Sequence, residues 1–233
     1  MKGFTDLHAH FVYGVDDGAR TRQDMEAMLD AAHADGVASL FATPHVTPGI
    51  RPFDDALFAV HLNEARAYCR EKGYEMDLFP GAEILYTPAL ASYAMERKLP
   101  TLGESNWVLL EFSPDIELQD MQNALTLMER GGYTTLIAHA ERYHCLFKGS
   151  NAARIREQFD VRFQINANTV LNPPGFFRAR RLRKWFHDGW VEAVASDAHD
   201  TQRRPFRMKK AYHALKESLG SREAARLTRL HER

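Results

Sequence analysis

Within its first ten positions this 233-residue chain reads Thr5-Asp6-Leu7-His8-Ala9-His10. On an extended strand alternate side chains share a face, so Asp6, His8 and His10 fall on one side and Leu7, Ala9 and Phe11 on the other. Two imidazoles side by side on a rigid strand form a chelate for a transition metal. Alone, His-x-His is a weak signal that a solvated edge strand also produces. The rest of the chain strengthens it, because metal-capable residues recur where apolar runs stop. His45 follows the run 38–43, Glu83 the run 76–82, Glu111 the run 107–110 and His139 the run 134–138. Asp197 and His199 follow the run 191–196, and Asp17 sits in the loop after the first strand. These five histidines and four carboxylates exceed what one ion needs, so two or three divalent ions are expected. Burying such a set without ions or partners would be costly.

Elements must bring these residues together across nearly the whole chain. Thr21 with Asp24 reads as an N-cap with an acid at N3, and Met25, Met28, Leu29 and Ala32 follow at helical spacing to Gly36. Further helices are predicted with Phe58, Leu62, Ala65 and Cys69 on one face, and with Leu118, Met121, Leu125 and Met128 on one face. Others surround Ile155 and Phe159, and Leu182, Trp185 and Phe186, and two close the chain, 206–219 and 221 to about His231. Between them lie seven strand-like runs. Strands alternating with amphipathic helices predict an α/β protein with a parallel sheet covered by helices. No linker divides the chain, so one barrel-like domain over residues 1–233 is the simplest architecture, its strand ends gathered on one face. An open doubly wound sheet is the alternative. The absence of a Gly-rich phosphate loop after the first strand weakens its nucleotide-binding form.

Composition removes several classes. The chain is 45% hydrophobic and 26% charged with a net charge of −1, which offers no footprint for nucleic acid or a membrane surface. No apolar run approaches the ~20 residues of a membrane span, and the N-terminus has no signal-peptide pattern. Cys69 and Cys145 are too few for a disulfide framework, which suits a reducing cytoplasm. A thiolate phosphatase needs Cys, five residues, then Arg; the sixth residue after Cys69 is Glu75 and after Cys145 is Asn151. Arg178, Arg180, Arg181, Arg183 and Lys184 form a basic helix face, read as solvated surface or as a docking site for an acidic segment.

The motifs DLHAHFVYGVDDG, FATPH, PGAE, LLEF, AHAERY, QINAN and ASDAH followed by RRPF cover residues 6 to about 206. With them the sequence resembles the polymerase and histidinol phosphatase (PHP) superfamily. Within it, the likeness is to bacterial manganese-dependent protein-tyrosine phosphatases of capsule and exopolysaccharide systems. The resemblance implies a distorted seven-stranded (β/α)7 TIM-like barrel with a trinuclear site. One ion would take His8, His10, Glu83 and Asp197; a second Asp17, His45 and His199; a third Glu111 and His139, with Glu83 bridging to the first. Arg142 and Arg204 match family arginines that bind phosphate. Arg203-Arg204-Pro205-Phe206 stands where Gly-Arg-Pro is more usual, which leaves open which arginine points inward.

The implied reaction is hydrolysis of phosphotyrosine on the tail of a bacterial tyrosine kinase by a hydroxide bridging two metals, most readily Mn, with Fe or Zn also suited. Arg142 and Arg204 would neutralise the phosphoryl oxygens and Asp17 would assist. The alternative is a small-molecule PHP phosphoesterase of the histidinol-phosphate type. A metal-dependent amidohydrolase or DNase on a similar barrel fits the ligand set less well, and an inactive kinase-binding regulator would not need it.

Overall fold

In the computed structural model, residues 3–229 are described. Nine short strands follow one another: β1 (Phe4–Ala9), β2 (Val37–Ala42), β3 (His45–Val46), β4 (Asp77–Pro80), β5 (Glu83–Leu85), β6 (Trp107–Glu111), β7 (Thr134–Ile137), β8 (Val161–Asn166) and β9 (Val191–Ala195). The helices are α1 (Arg22–Ala34), α2 (Asp55–Lys72), α3 (Leu90–Glu96), α4 (Leu118–Arg130), α5 (Asn151–Gln158), α6 (Ala167–Leu171), α7 (Phe176–His187), α8 (Met208–Leu219) and α9 (Ser221–Thr228). The expected extension of the last helix to His231 lies outside the described residues.

Seven runs become nine strands because two of them break. Pro44 cannot donate to a ladder, so the 38–43 run ends as β2 and restarts as β3 at His45. The 76–82 run breaks at Gly81-Ala82 into β4 and β5. The breaks divide the ladder into two sheets, β1-β2-β4 and β3-β5-β6-β7-β8-β9. Every pairing in them is parallel, as the strand–helix alternation requires. Among the described residues no ladder closes the two sheets into a ring. They meet instead at the end of β1: Asp197 N–H donates to the His8 carbonyl at 2.8 Å, and His10 N–H to the Ala198 carbonyl at 2.8 Å.

The helices form where periodicity places them. Thr21 and Asp24 make a reciprocal capping box on α1, each side chain accepting the other's backbone N–H, which stabilises the helix by about 1 kcal/mol. Met25, Met28, Leu29 and Ala32 are buried beneath it. α4 buries Met121, Ala124, Leu125 and Met128, and α7 buries Leu182, Trp185 and Phe186. A separate small cluster joins Leu7 of β1 to Leu109 of β6, Leu136 of β7, and Ala193 and Ala195 of β9. Apolar contact therefore spans both sheets on their common side. A 3-10 turn, 140–142, lies within the AHAERY segment and a second, 144–147, follows it; periodicity alone did not assign either to an element.

Candidate metal centre

The candidate side chains sit at or near strand ends, save Asp17, which lies in the loop after β1. His8 is the penultimate residue of β1 and His10 immediately follows the strand; His45 opens β3 opposite Glu83, which opens β5. Leu85 pairs with Glu111 at the end of β6. His139 and Asp197 each follow their strand by two residues, and they are the two non-glycine residues with positive φ among those described, at 32° and 55°. Left-handed backbone disfavours side chains, so its occurrence at two strand ends turns both groups inward at some cost in local strain.

The side chains converge into three overlapping groups whose ligand-type atoms lie within 4.8 Å of one another. They are His8, His10, Glu83 and Asp197; His10, Asp17, His45 and His199; and His45, Glu83 and Glu111. Glu83 Oε2 is the hub, 3.1 Å from His8 Nε2, 3.3 Å from His10 Nε2 and 3.2 Å from His45 Nδ1. Its other oxygen meets His139 Nε2 at 2.8 Å, and Glu111 approaches the same nitrogen at 3.5 Å. Asp17 is the rim member, two-thirds exposed, 3.4 Å from His45 Nε2 and 3.5 Å from His199 Nε2. Relative to the expected partition, His10 belongs to two groups and His45 turns one ring nitrogen toward each of two. His139 reaches the third group through both carboxylates.

Supporting residues fix which ring atoms face the cluster. Asp16 accepts from His10 Nδ1–H at 2.6 Å and from the His45 N–H at 3.1 Å. Gln164 Oε1 accepts from His8 Nδ1–H at 3.1 Å and from the His139 N–H at 2.7 Å. Gln164 then donates to Asn166 at 2.8 Å, and Asn166 to Asp197 Oδ2 at 2.8 Å. His8 and His10 are thus left with Nε2 turned to the carboxylates, the arrangement outer partners give metal-binding imidazoles. Tyr143 closes the far side, its hydroxyl 3.2 Å from His139 Nδ1. Asp16, Gln164 and Tyr143 escaped the sequence reading. The period-2 spacing of Gln164 with Asn166 was a usable signal for a shared inward face; Asp16 was visible only as part of an Asp-Asp-Gly turn. Asp6, on the face of His8 and His10, is fully buried and caps the Ser196 N–H at 2.9 Å; burial raises its pKa to about 6.

Burial and close opposite charge set the electrostatics of the cluster. Burial alone would push His10 down, but the Asp16 and Glu83 carboxylates outweigh it and hold its pKa at about 10. The same opposition places His139 at about 9, with Glu111 and Glu83 the raising carboxylates. Burial would raise Glu83 and Asp197, yet the neighbouring imidazoles hold both below the ordinary carboxylate range. The bond to His199 lowers Asp17. Asp197 Oδ1 is buried with no hydrogen-bond partner, and the buried His199 Nε2 has only the long 3.5 Å approach of Asp17. Such orphans inside a set of imidazoles and carboxylates fit divalent ions, and the donor types suit Mn, Fe or Zn.

Asp197 divides its two oxygens between cluster and cations. Oδ1 lies 3.4 Å from His8 Nε2, while Oδ2 accepts from Arg142 and Arg204, each at 2.7 Å. Both guanidiniums are about 40% exposed, so their remaining N–H groups stay open to solvent. Of the adjacent pair, Arg204 is therefore the residue on Asp197, and Arg203 lines the neighbouring cavity. Burial raises the Cys69 thiol to about 11 and raises Cys145 as well, which leaves no ready thiolate. His144, half-exposed, pairs with Asp115 at 3.1 Å rather than entering the cluster.

Fold and side chains together define a class: a parallel α/β protein whose strand ends gather histidines, carboxylates and two arginines. The chain belongs to the CpsB/CapC family of capsular polysaccharide synthesis, whose model matches residues 4–231. It is 31% identical over 229 residues to tyrosine-protein phosphatase CpsB of Streptococcus pneumoniae, covering 95% of this chain and 93% of that protein. With tyrosine-protein phosphatase YwqE of Bacillus subtilis (strain 168) it shares 24% identity over 227 residues, 93% of this chain and 85% of that one. A solved structure from work on YwqE of B. subtilis and CpsB of S. pneumoniae, described as unique metal-dependent tyrosine phosphatases, matches with a TM-score of 0.83. That match is 24% identical and covers 94% of this chain and 89% of the other, a likeness in fold.

Proposed function

We propose that this chain is a metal-dependent protein-tyrosine phosphatase of capsular or exopolysaccharide synthesis, acting in the cytoplasm on the phosphorylated tail of a bacterial tyrosine kinase. One observation carries the reading: in a member of the CpsB/CapC family, Asp197 joins a buried histidine–carboxylate cluster to two half-exposed arginines. His8, His10, Asp17, His45, Glu83, Glu111, His139, Asp197 and His199 would hold two or three divalent ions, most readily Mn. Bound there, such ions lower the pKa of water and neutralise phosphoryl charge. Arg142 and Arg204, both fixed by Asp197 Oδ2, would offer their remaining N–H groups to the phosphoryl oxygens and position the phosphate beside the cluster. Asp17, on the rim and held ionised by His199, would serve as a metal-binding carboxylate at the mouth of the site. The phenol of tyrosine, with a pKa of ~10, is a tolerable leaving group, so a dedicated buried acid is not required. Residues 1–233 form one domain in this reading, and the two sheets curl into a distorted barrel. The cross-sheet backbone bonds at His8 and His10 and the apolar cluster common to both sheets support that curvature.

The test is turnover. Chelator-treated protein should lose phosphotyrosine-peptide hydrolysis and recover it with Mn²⁺, and His8→Ala should lower kcat by about 10³. Full activity after metal stripping would sink the reading. Preference for histidinol phosphate over the phosphopeptide would select the small-molecule alternative.

A further inference from the structure

A cavity of about 350 Å³ opens beside the cluster, lined by Arg142, Asn166, Asn168, Arg203, Arg204 and Arg207 among others. Four guanidiniums face it, and its one carboxylate is Asp197. That carboxylate is already shared by Arg142 and Arg204. Among the described residues neither Arg203 nor Arg207 has an acidic partner within ion-pair distance.

The surplus is reinforced from below. Arg207 occupies the N-cap position of α8, and no acid stands in that helix's first turn, where Lys209 and Lys210 are found. The positive end of a helix dipole disfavours cations, so this grouping of charge is unfavourable until an anion meets it. Asp35 reaches the Lys209 backbone N–H at 3.3 Å, which gives the helix end a carboxylate while leaving the guanidiniums without one. Arg203 is exposed, so its side chain is open to an incoming anion.

We propose that Arg203 and Arg207 form a second anion subsite that takes a negatively charged group adjacent to the phosphotyrosine in the same peptide. The inference rests on the phosphotyrosine reading and adds a substrate preference to it. Arg142 and Arg204 take the phosphoryl group being hydrolysed. Arg203 and Arg207, on the same cavity wall, then face the flanking residue, and a planar guanidinium accepts a carboxylate or a phosphate oxygen pair equally well. The shared chemistry is an oxyanion on the flanking side chain; its source is an aspartate or glutamate carboxylate, or a second phosphotyrosine.

Four phosphotyrosine peptides test it with the Mn-loaded protein: one flanked by alanine, one by glutamate, one by lysine and one by a second phosphotyrosine. The wild type should favour an anion-flanked peptide over the alanine peptide by about 10-fold in kcat/KM, carried by KM. About 3-fold of that should disappear with each of Arg203→Gln and Arg207→Gln, within the range for a half-exposed ion pair. Arg203→Glu should reverse the order toward a lysine-flanked peptide, an outcome no general loss of fold produces. Preference for glutamate over the second phosphotyrosine, or the opposite, identifies the source. Equal kcat/KM on all peptides in the wild type, or an unaltered preference in both glutamine variants, overturns the subsite and leaves the phosphatase reading intact. No hydrolysis of any phosphotyrosine peptide overturns the reading itself.

Discussion

Asp16 shows how much a residue outside the ligand set controls it. Its carboxylate holds His10 Nδ1–H at 2.6 Å and the His45 backbone at 3.1 Å, so one short side chain orients two imidazoles. Asp16→Ala should weaken Mn²⁺ binding about 10- to 100-fold, the usual cost of losing an outer partner of a metal-binding histidine, with Asp16→Asn in between. Competition against a chelating indicator reads the affinity, and activity lost at limiting Mn²⁺ should return at saturation. Unchanged affinity in Asp16→Ala would show that His10 is held by its other contacts. His10 and His139 carry a second expectation. With pKa values of about 10 and about 9 both are protonated in the metal-free protein at pH 7.5, and a ligand must give up that proton. Metal uptake should therefore release about two protons, measurable by calorimetry in buffers of different ionisation enthalpy. Release of none would mean that these rings do not bind the ions.

At the scale of elements, the candidate positions were legible because apolar runs announce strands and six of the seven runs stop at a residue of metal-binding type, the run 161–165 at Asn166 being the exception. The partition into sheets was not. Whether Pro44 or Gly81-Ala82 merely bends a strand or transfers the chain to a new sheet depends on partners far away in sequence, which periodicity does not record. Gln164 was hidden for a related reason: glutamine in an apolar strand reads as a solvated face until His8, 156 residues away, supplies its bond. The loop 14–19 depends on local geometry instead. Gly14 N–H bonds the Ala19 carbonyl at 2.9 Å and Ala19 N–H the His10 carbonyl at 3.0 Å, which presses Gly18 against His10. A Cβ at position 18 would overlap the His10 carbonyl oxygen and lie 2.6 Å from the His10 Cβ, backbone and near-backbone atoms that cannot swing aside. Gly18→Ala should cost about 2–3 kcal/mol, lowering Tm by roughly 5–10 °C. Metal affinity should fall with it, since Asp16 and Asp17 ride on this loop. A Tm loss with full metal affinity would show that the loop stabilises the fold without positioning the site.

For the whole molecule, the cluster makes stability depend on pH in opposite senses on its two sides. Glu83, Asp197, Asp16 and Asp17 are held below their ordinary values of 4.5 and 3.8. Their contribution is present above those values and is lost as pH falls through the lowered folded-state pKa. His10 and His139 are raised above 6.5, so their contribution is complete below 6.5 and is lost as pH rises toward about 9 and about 10. Asp6, raised to about 6, and His199, lowered by burial, act in the contrary sense but are two groups against six. The metal-free protein should thus be most stable between about pH 5 and 6.5 and soften steadily on the alkaline side. Ions oppose the alkaline loss. Once the imidazoles hold metal in place of protons, rising pH no longer removes anything. Mn²⁺ at 100 times its Kd adds about 2.7 kcal/mol by mass action, an amount that grows as proton competition falls away. Melting curves from pH 6 to 9 should therefore diverge: Tm falls with pH in chelator and holds or rises with Mn²⁺. Parallel curves would mean that the protons on His10 and His139 and the ions do not compete for the same atoms, and the assignment of both histidines to the metal centre would fall.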